Sequence, residues 1–251
     1  MKIALVGKGG AGKSAVGGTL CRVLARSGHD VLALDADNVP GLAFTLGVDP
    51  GDEWLLSEAA SFVQGEGWKL LVEPGEAVER YAVRGPDGIR FLQFGKITGQ
   101  LTRKQQASSA ALLQIARRLD DERLTVVIDL AAGTRQSYFG WTGIARSILV
   151  IVEPSAKSVL TARRLVRLGR ERPELRLLGV ANKIDTDAQR RFVGGELERI
   201  GIPLWAEVPV DPIFAAAERT GMSPIDIDPA SPAVRAVESI AERLAAETAR
   251  T

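Results

Sequence analysis

Short apolar runs alternate with helix-spaced segments along most of this chain. KIALVG (Lys2–Gly7) is apolar and closes on glycine, the form of a strand buried on both faces. Similar runs occur at residues 31–35 (VLALD), 124–129 (LTVVID), 147–154 (SILVIVEP), 175–183 (LRLLGVANK) and 202–209 (IPLWAEVP). Between them lie stretches of helical period. In residues 13–27, Val16, Leu20, Val23 and Leu24 share one face and Gly28 ends the pattern. Residues 102–119, 156–172, 187–200 and 232–248 also read as helices. This alternation predicts an α/β fold: a mainly parallel sheet with helices on both faces. Residues 80–94 differ, because YAVRG and IRFLQF flank a Pro-Asp-Gly turn, which predicts a hairpin added to the sheet edge. With no internal repeat, low-complexity tract or linker, residues 1–251 read as a single domain.

Composition narrows the class. Hydrophobic residues make up 45% and charged residues 25%, an ordinary globular balance that argues against disorder. The net charge of +1 supplies no overall field toward nucleic acid or an anionic membrane. A single cysteine, Cys21, rules out an internal disulfide and any all-cysteine metal site within one chain, and a single histidine rules out a histidine-rich zinc site. Cys21 falls on the apolar face of the first helix and is expected to be a buried thiol. Met1 and Lys2 lead straight into a strand with no charged-then-apolar leader, and the longest apolar run, residues 148–152, is far short of the roughly 20 residues that span a bilayer. A cytoplasmic protein without a membrane partner is the expectation.

The chemistry concentrates at the first strand end. Gly7-Lys8-Gly9-Gly10-Ala11-Gly12-Lys13-Ser14 satisfies G-x-x-x-x-G-K-[ST], between a strand and a helix. Glycines let backbone N–H groups turn inward around phosphate oxygens, and the helix N-terminus adds partial positive charge. Lys13 is expected between the β- and γ-phosphates, and the Ser14 hydroxyl on Mg²⁺. Ala15, next along the helix, completes the nucleotide-binding run 7–15 as an expected contact.

The lysine after the first glycine, in GKGGAGKS, resembles the deviant Walker A motif of the MinD/ParA, nitrogenase iron protein and CooC superfamily of P-loop ATPases. That resemblance implies ATP as the nucleotide, Mg²⁺ as its ion and homodimerisation on nucleotide, with Lys8 reaching the partner's nucleotide. Asp35-Ala36-Asp37 resembles the superfamily's switch I, in which the second aspartate, here Asp37, orients the attacking water. Asp35 is either an outer metal group or a strand-end cap. Asp129 in VVIDLAAG resembles the switch II aspartate that holds Mg²⁺ through water. Lys8, Lys13, Asp37 and Asp129 are therefore the candidate catalytic residues, and Ser14, Asp37 and Asp129 the candidate metal residues. Asn182-Lys183 resembles the superfamily's base-recognition pair, and Pro209-Val210-Asp211 the loop that closes over the base. Asn182-Lys183-Ile184-Asp185 also spells the N-K-x-D signature of GTPases. Adenine and guanine thus both stay open, with the superfamily favouring adenine.

The same order and spacing resemble CooC-type ATPases, which assist maturation of nickel carbon monoxide dehydrogenase. Such proteins often carry a Cys-x-Cys pair that holds a metal between subunits, and residues 100–106 have no cysteine. The iron–sulfur cysteines of the nitrogenase iron protein are also missing. Ala15 replaces a second hydroxyl, Asn38 replaces a proline, and Arg135-Gln136-Ser137 replaces a Glu-His segment, so the client-facing surface differs. Two functions are compared: a slow ATPase acting on a client protein, and a nucleotide-dependent DNA-binding or positioning scaffold. For the second, Arg163, Arg167 and Arg170 share a helical face, although solvated arginines are the simpler account. The Ala-rich C-terminal helix lacks a membrane-binding face.

Overall fold

The computed structural model describes residues 1–37, 41–49, 55–93, 103–119, 124–133, 141 and 144–248. The first βαβ unit is β1 (Lys2–Gly7), α1 (Lys13–Arg26) and β2 (Asp30–Ala36). There follow α2 (Leu42–Leu46), a 3-10 turn (Leu55–Ala59), β3 (Ala60–Val63), β4 (Gly67–Leu70), α3 (Pro74–Tyr81), β5 (Val83–Arg84), β6 (Arg90–Gln93) and α4 (Arg103–Arg118). The second half runs β7 (Leu124–Leu130), β8 (Ser147–Val152), α5 (Ala156–Gly169), β9 (Arg176–Ile184), α6 (Asp187–Arg199), β10 (Leu204–Pro209), α7 (Pro212–Thr220), α8 (Pro224–Ile227) and α9 (Pro232–Thr248).

Eight strands form one sheet in the order β10-β9-β8-β1-β7-β2-β6-β5, parallel throughout except for the edge strand β5. The predicted α/β architecture is the one observed. Strand periodicity divides the core: Ala4 and Val6 of β1 face one apolar layer, Ile3 and Leu5 the other. The first layer packs α3, α4, α5 and α6, and the second packs α1, α2, α8 and α9. Cys21 is buried in the second layer, and burial pushes its thiol pKa well up.

The hairpin appears where the Pro-Asp-Gly turn placed it, with β5 antiparallel to β6. Arg80 and Tyr81 belong instead to α3, whose Pro74 start sets a helix that ends by burying Tyr81; Phe94 lies outside the described residues. A second hairpin, β3–β4, has no counterpart in the sequence reading, and its Phe62 and Trp68 rings meet edge to face at 5.6 Å. Its strands are only four residues long, too short for period-2 patterning to emerge. Among the described residues no helix is long and apolar enough to cross a membrane.

Because β1 is flanked by β7 and β8, the C-terminal ends of β1, β2, β7, β8, β9 and β10 converge along one edge of the sheet. Chain reversal on either side of a central strand opens a crevice there. Close packing of α2 on α1 forms one wall of that edge and depends on a glycine pair. A Cβ on Gly18 would stand 2.6 Å from the Cβ of Thr45, and one on Gly17 would stand 3.2 Å from Leu5 of β1 and 3.7 Å from Leu42 of α2. In an open helix, Gly→Ala gains up to about 1 kcal/mol, whereas overpacking costs about 1–3 kcal/mol. Gly18→Ala is therefore expected to destabilise the fold, read as a lower urea midpoint at unchanged slope; an unchanged or higher midpoint would show that α2 is free to move away from α1.

Candidate functional site

The loop between β1 and α1 is a cradle built of main chain. Gly10 and Gly12 have φ of +78° and +93°, which turn the intervening N–H groups inward. The Ala11 N–H donates to the Lys8 carbonyl at 3.1 Å and closes the turn. No side chain caps the N-terminus of α1, and no acidic residue lies in its first turn, so its leading N–H groups are left for an anion. Lys13 opens the helix with only 6% of its surface exposed. This geometry fits a phosphate chain, as the motif implies.

The two acidic strand ends stand side by side, Asp35 opposite Asp129 in the β2–β7 register. Asp35 is completely buried and accepts three backbone N–H bonds: from Asp37 on Oδ1 at 3.0 Å, and from Gly41 and Leu42 on Oδ2 at 3.1 and 3.0 Å. Of the two roles open to it, strand-end cap is the one its contacts fill: it pins both ends of the segment between Asp37 and Gly41. Burial, and after it the charge of Asp129, push its pKa up. Asp129 is also buried, and burial pushes its pKa up while the Ser14 hydroxyl and Lys13 act in the opposite direction. Ser14 Oγ donates to Asp129 Oδ2 at 2.5 Å, while Oδ1 is buried without a hydrogen-bond partner. Asp37 is half-buried, and its charge bears on both neighbours.

An orphaned carboxylate oxygen beside a hydroxyl fits a hard divalent cation, for which oxygen donors are the natural ligands. Among the described residues no three His, Cys, Asp or Glu side chains converge as a metal cluster, so Mg²⁺ here would depend on phosphate oxygens and water for most of its coordination.

From the other side the end of β9 leans on the cradle. Asn182 is buried, and its Nδ2 donates to the Ala11 carbonyl at 2.7 Å. Lys183 takes the rare φ of +59° and its Nζ donates to the Gly10 carbonyl at 2.7 Å. Both residues expected at the base brace the phosphate loop. The contact is tight, since a Cβ on Gly12 would lie 2.2 Å from Asn182 Nδ2. Asp185 is exposed, its backbone N–H bonded to Gln189. Pro209 ends β10 and the Val210 N–H donates to the Ile184 carbonyl, placing the 209–211 loop against the end of β9. The Asp211 carboxylate is already committed, accepting from Ile213 N at 2.8 Å as the α7 cap and from Ala233 N at 2.9 Å.

One residue without an assigned role in the sequence reading stands out. Glu153 follows β8, and its Oε1 accepts from Lys8 Nζ at 2.8 Å and from Ser155 Oγ at 3.1 Å; Lys183 Nζ lies 3.7 Å from Oε2. Burial pushes the Glu153 pKa up, but the Lys8 and Ser155 hydrogen bonds and both lysine charges bring it below the usual range. The signal was available: an acid directly after a parallel strand lies at the C-terminal sheet edge. Asn38, residues 94–102 and residues 135–137 lie outside the described residues.

The model of the CobQ/CobB/MinD/ParA nucleotide-binding domain matches residues 3–225. The chain belongs to that family. Among its relatives in this family, the carbon monoxide dehydrogenase accessory protein CooC of Rhodospirillum rubrum is 27% identical over 244 residues, covering 92% of this chain and 91% of that one. The cytosolic Fe-S cluster assembly factor NUBP2 of Bos taurus is 28% identical over 273 residues, covering 98% and 92%. In fold the chain is similar to the septum site-determining protein MinD of Pyrococcus horikoshii, solved with Mg-ADP, at a TM-score of 0.74 and 20% identity over 97% of this chain and 95% of that one. It is a P-loop ATPase of the MinD/ParA type.

The Asn182 brace gives a prediction for this family member. Removing one partner of a buried hydrogen bond costs about 1–3 kcal/mol. Asn182→Ala is thus expected to lower the stability of the nucleotide-free protein by that amount in urea unfolding, with the Asn182→Asp variant showing a comparable loss. Full retention of nucleotide-free stability in both would confine Asn182 to contact with the base.

Proposed function

We propose that residues 1–251 act as one P-loop domain that dimerises on ATP, hydrolyses it slowly and thereby resets its action on a client protein. The observation that carries this reading is Lys8. The Lys8 carbonyl closes the turn, while its ammonium rests at the mouth of the loop on the Gly9 carbonyl and on Glu153, in a salt bridge that remains partly open to solvent. Such a pair is worth about 0.2–1 kcal/mol. A triphosphate on a second protomer offers Lys8 a stronger, charge-assisted partner, so the lysine is stored within reach and readily given up.

Within one site, Lys13 and the inward N–H groups of residues 9–14 bind and orient the β- and γ-phosphates. Ser14 and Asp129 would hold Mg²⁺, which when bound neutralises phosphate charge. Asp37 accepts a hydrogen bond from the attacking water, whose oxygen bonds to the γ-phosphorus as the bridging bond to ADP breaks, releasing phosphate. Catalysis is then positioning and electrostatic stabilisation with no covalent intermediate. Asn182, Lys183, Pro209 and the 209–211 loop form the base side of the pocket, for which adenine is the proposed occupant.

The client reading draws on the names of the relatives: CooC is an accessory protein for a metalloenzyme, and NUBP2 an assembly factor for iron–sulfur clusters. A metalloenzyme apoprotein is the proposed client class, and a cytoplasmic location accompanies it. The DNA scaffold reading gains no support from the basic helix face. On that face Arg163 pairs with Glu196 and Arg170 donates to the Ile200 carbonyl.

Light scattering tests the proposal. The wild type is expected to be monomeric alone and with ADP, and dimeric with a non-hydrolysable ATP analogue and Mg²⁺; Lys8→Ala is expected to bind the analogue and stay monomeric. A wild type that binds the analogue and never dimerises would move the reading to a substrate-transforming P-loop enzyme. Releasing Lys8 by Glu153→Gln is expected to raise the dimerisation constant at subsaturating analogue by up to about thirtyfold, the equivalent of about 2 kcal/mol for the two bridges of a homodimer. A lowered constant would mean that Glu153 supports the dimer instead of competing with it. Asp37→Ala is expected to dimerise normally while hydrolysis falls by about 10²-fold or more.

A further inference from the structure

Away from the phosphates, α1 carries a buried charge that the mechanism above does not use. Arg22 lies roughly two and a half turns beyond Lys13 and is only 2% exposed. Its guanidinium makes four hydrogen bonds to three other elements. Nε donates to Asp87 Oδ2 at 2.6 Å in the β5–β6 hairpin turn. Nη1 and Nη2 grip Asp226 of α8 at 2.7 and 2.8 Å, and Nη1 also reaches the Leu46 carbonyl, the end of α2, at 3.0 Å. Arg26, one turn on, donates to the same two carboxylates at 3.0 and 2.7 Å, so two arginines and two aspartates form a neutral clasp.

Each element in the clasp leads back to the site. α2 is preceded by Gly41, where an added Cβ would lie 3.4 Å from Ser14 Oγ and where the backbone is tied to Asp35. α7 and α8 follow directly from the 209–211 loop, and α7 ends against α2 where Gly221 approaches Phe44. β6 pairs with β2, whose end carries Asp35. The fit around the guanidinium is close, since Gly47, at φ +73°, leaves only 3.5 Å between an added Cβ and Arg22 Nη1. Stability alone does not call for this arrangement, because an apolar side chain of similar volume commonly serves a core as well as a buried ion pair does. What a five-donor planar fork adds is fixed geometry among several partners at once.

We infer that Arg22 is a positioning residue for nucleotide sensing: it fixes the γ-phosphate-side helix α2 and the base-side segment α7–α8 to the phosphate-loop helix at one separation. The inference rests on the nucleotide-switch reading above. Arg22 touches no nucleotide; it acts through the backbone of α2 and through Asp226.

The test compares the affinities of ADP and of a non-hydrolysable ATP analogue, both with Mg²⁺, in Arg22→Met, Asp226→Asn and Leu244→Ala. Leu244 is buried on α9 in the same core layer and serves as a stability-matched control. Arg22→Met is expected to lower the analogue-to-ADP preference and the hydrolysis rate by about tenfold or more, the scale of a small misplacement of reacting groups. Leu244→Ala is expected to unfold more easily yet keep the wild-type preference. Asp226 is a third exposed and an amide in its place can still accept from Arg22, so Asp226→Asn serves as the second variant, and it is expected to shift the preference in the same direction. An unchanged preference in Arg22→Met and Asp226→Asn, or an equal shift in Leu244→Ala, would overturn the inference and leave the clasp as packing. A wild type that binds neither nucleotide would overturn the switch reading first, and this inference with it.

Discussion

Two carboxylates buried side by side at the ends of neighbouring parallel strands set the terms for the rest of this molecule. Unmoderated, Asp35 and Asp129 would repel in a low-dielectric setting, and burial alone already disfavours their charged forms. The fold answers with different partners for each. Asp35 is saturated by backbone N–H groups and so fixes the start of α2. Asp129 is bonded on one oxygen by Ser14 and left open on the other. The asymmetry separates a residue that shapes the loop from one that has capacity left for a ligand. It also makes the site incomplete by itself, since added positive charge would relieve the pair.

The glycines of the cradle follow from the same crowding. Asn182 and Lys183 brace the loop from β9 by donating to its carbonyls, which leaves the loop's N–H groups facing the other way. The Asn182 side chain leaves no volume for a Cβ at Gly12, and the neighbouring backbone leaves none at Gly7, where a Cβ would lie 2.5 Å from the Ile151 carbonyl oxygen. Phosphate recognition, loop stability and the glycine pattern are therefore one constraint. Lys8 contributes in two ways: its carbonyl closes the turn with Ala11, while its ammonium donates to the Gly9 carbonyl and to Glu153, the residue after the neighbouring strand β8.

Much of this was legible from local pattern. The apolar runs located the parallel strands because a strand covered on both faces has to be apolar throughout, and helix periodicity located α1, α4, α5, α6 and α9 to within a few residues. The phosphate loop was legible because its chemistry is local: glycines, lysine and hydroxyl act through a single turn. The β3–β4 hairpin was not, since two four-residue strands carry too little periodicity to be distinguished from loop. Glu153 has no assigned role in the sequence because its partner lies 145 positions away, and Asp35 is ambiguous there between cap and metal group because three backbone donors decide the matter.

What the sequence determined by itself is the α/β class, the place of the phosphate loop and the set of acids available to it, because each depends on period or on contiguous residues. Only the tertiary structure decided how those acids divide their roles, that Asn182 and Lys183 brace the loop, that Lys8 rests on Glu153, and that Arg22 joins α1 to α2, α8 and the hairpin turn. Those outcomes depend on sheet order and side-by-side register. A chain that pairs residue 35 with residue 129 and residue 22 with residue 226 encodes them only once it has folded.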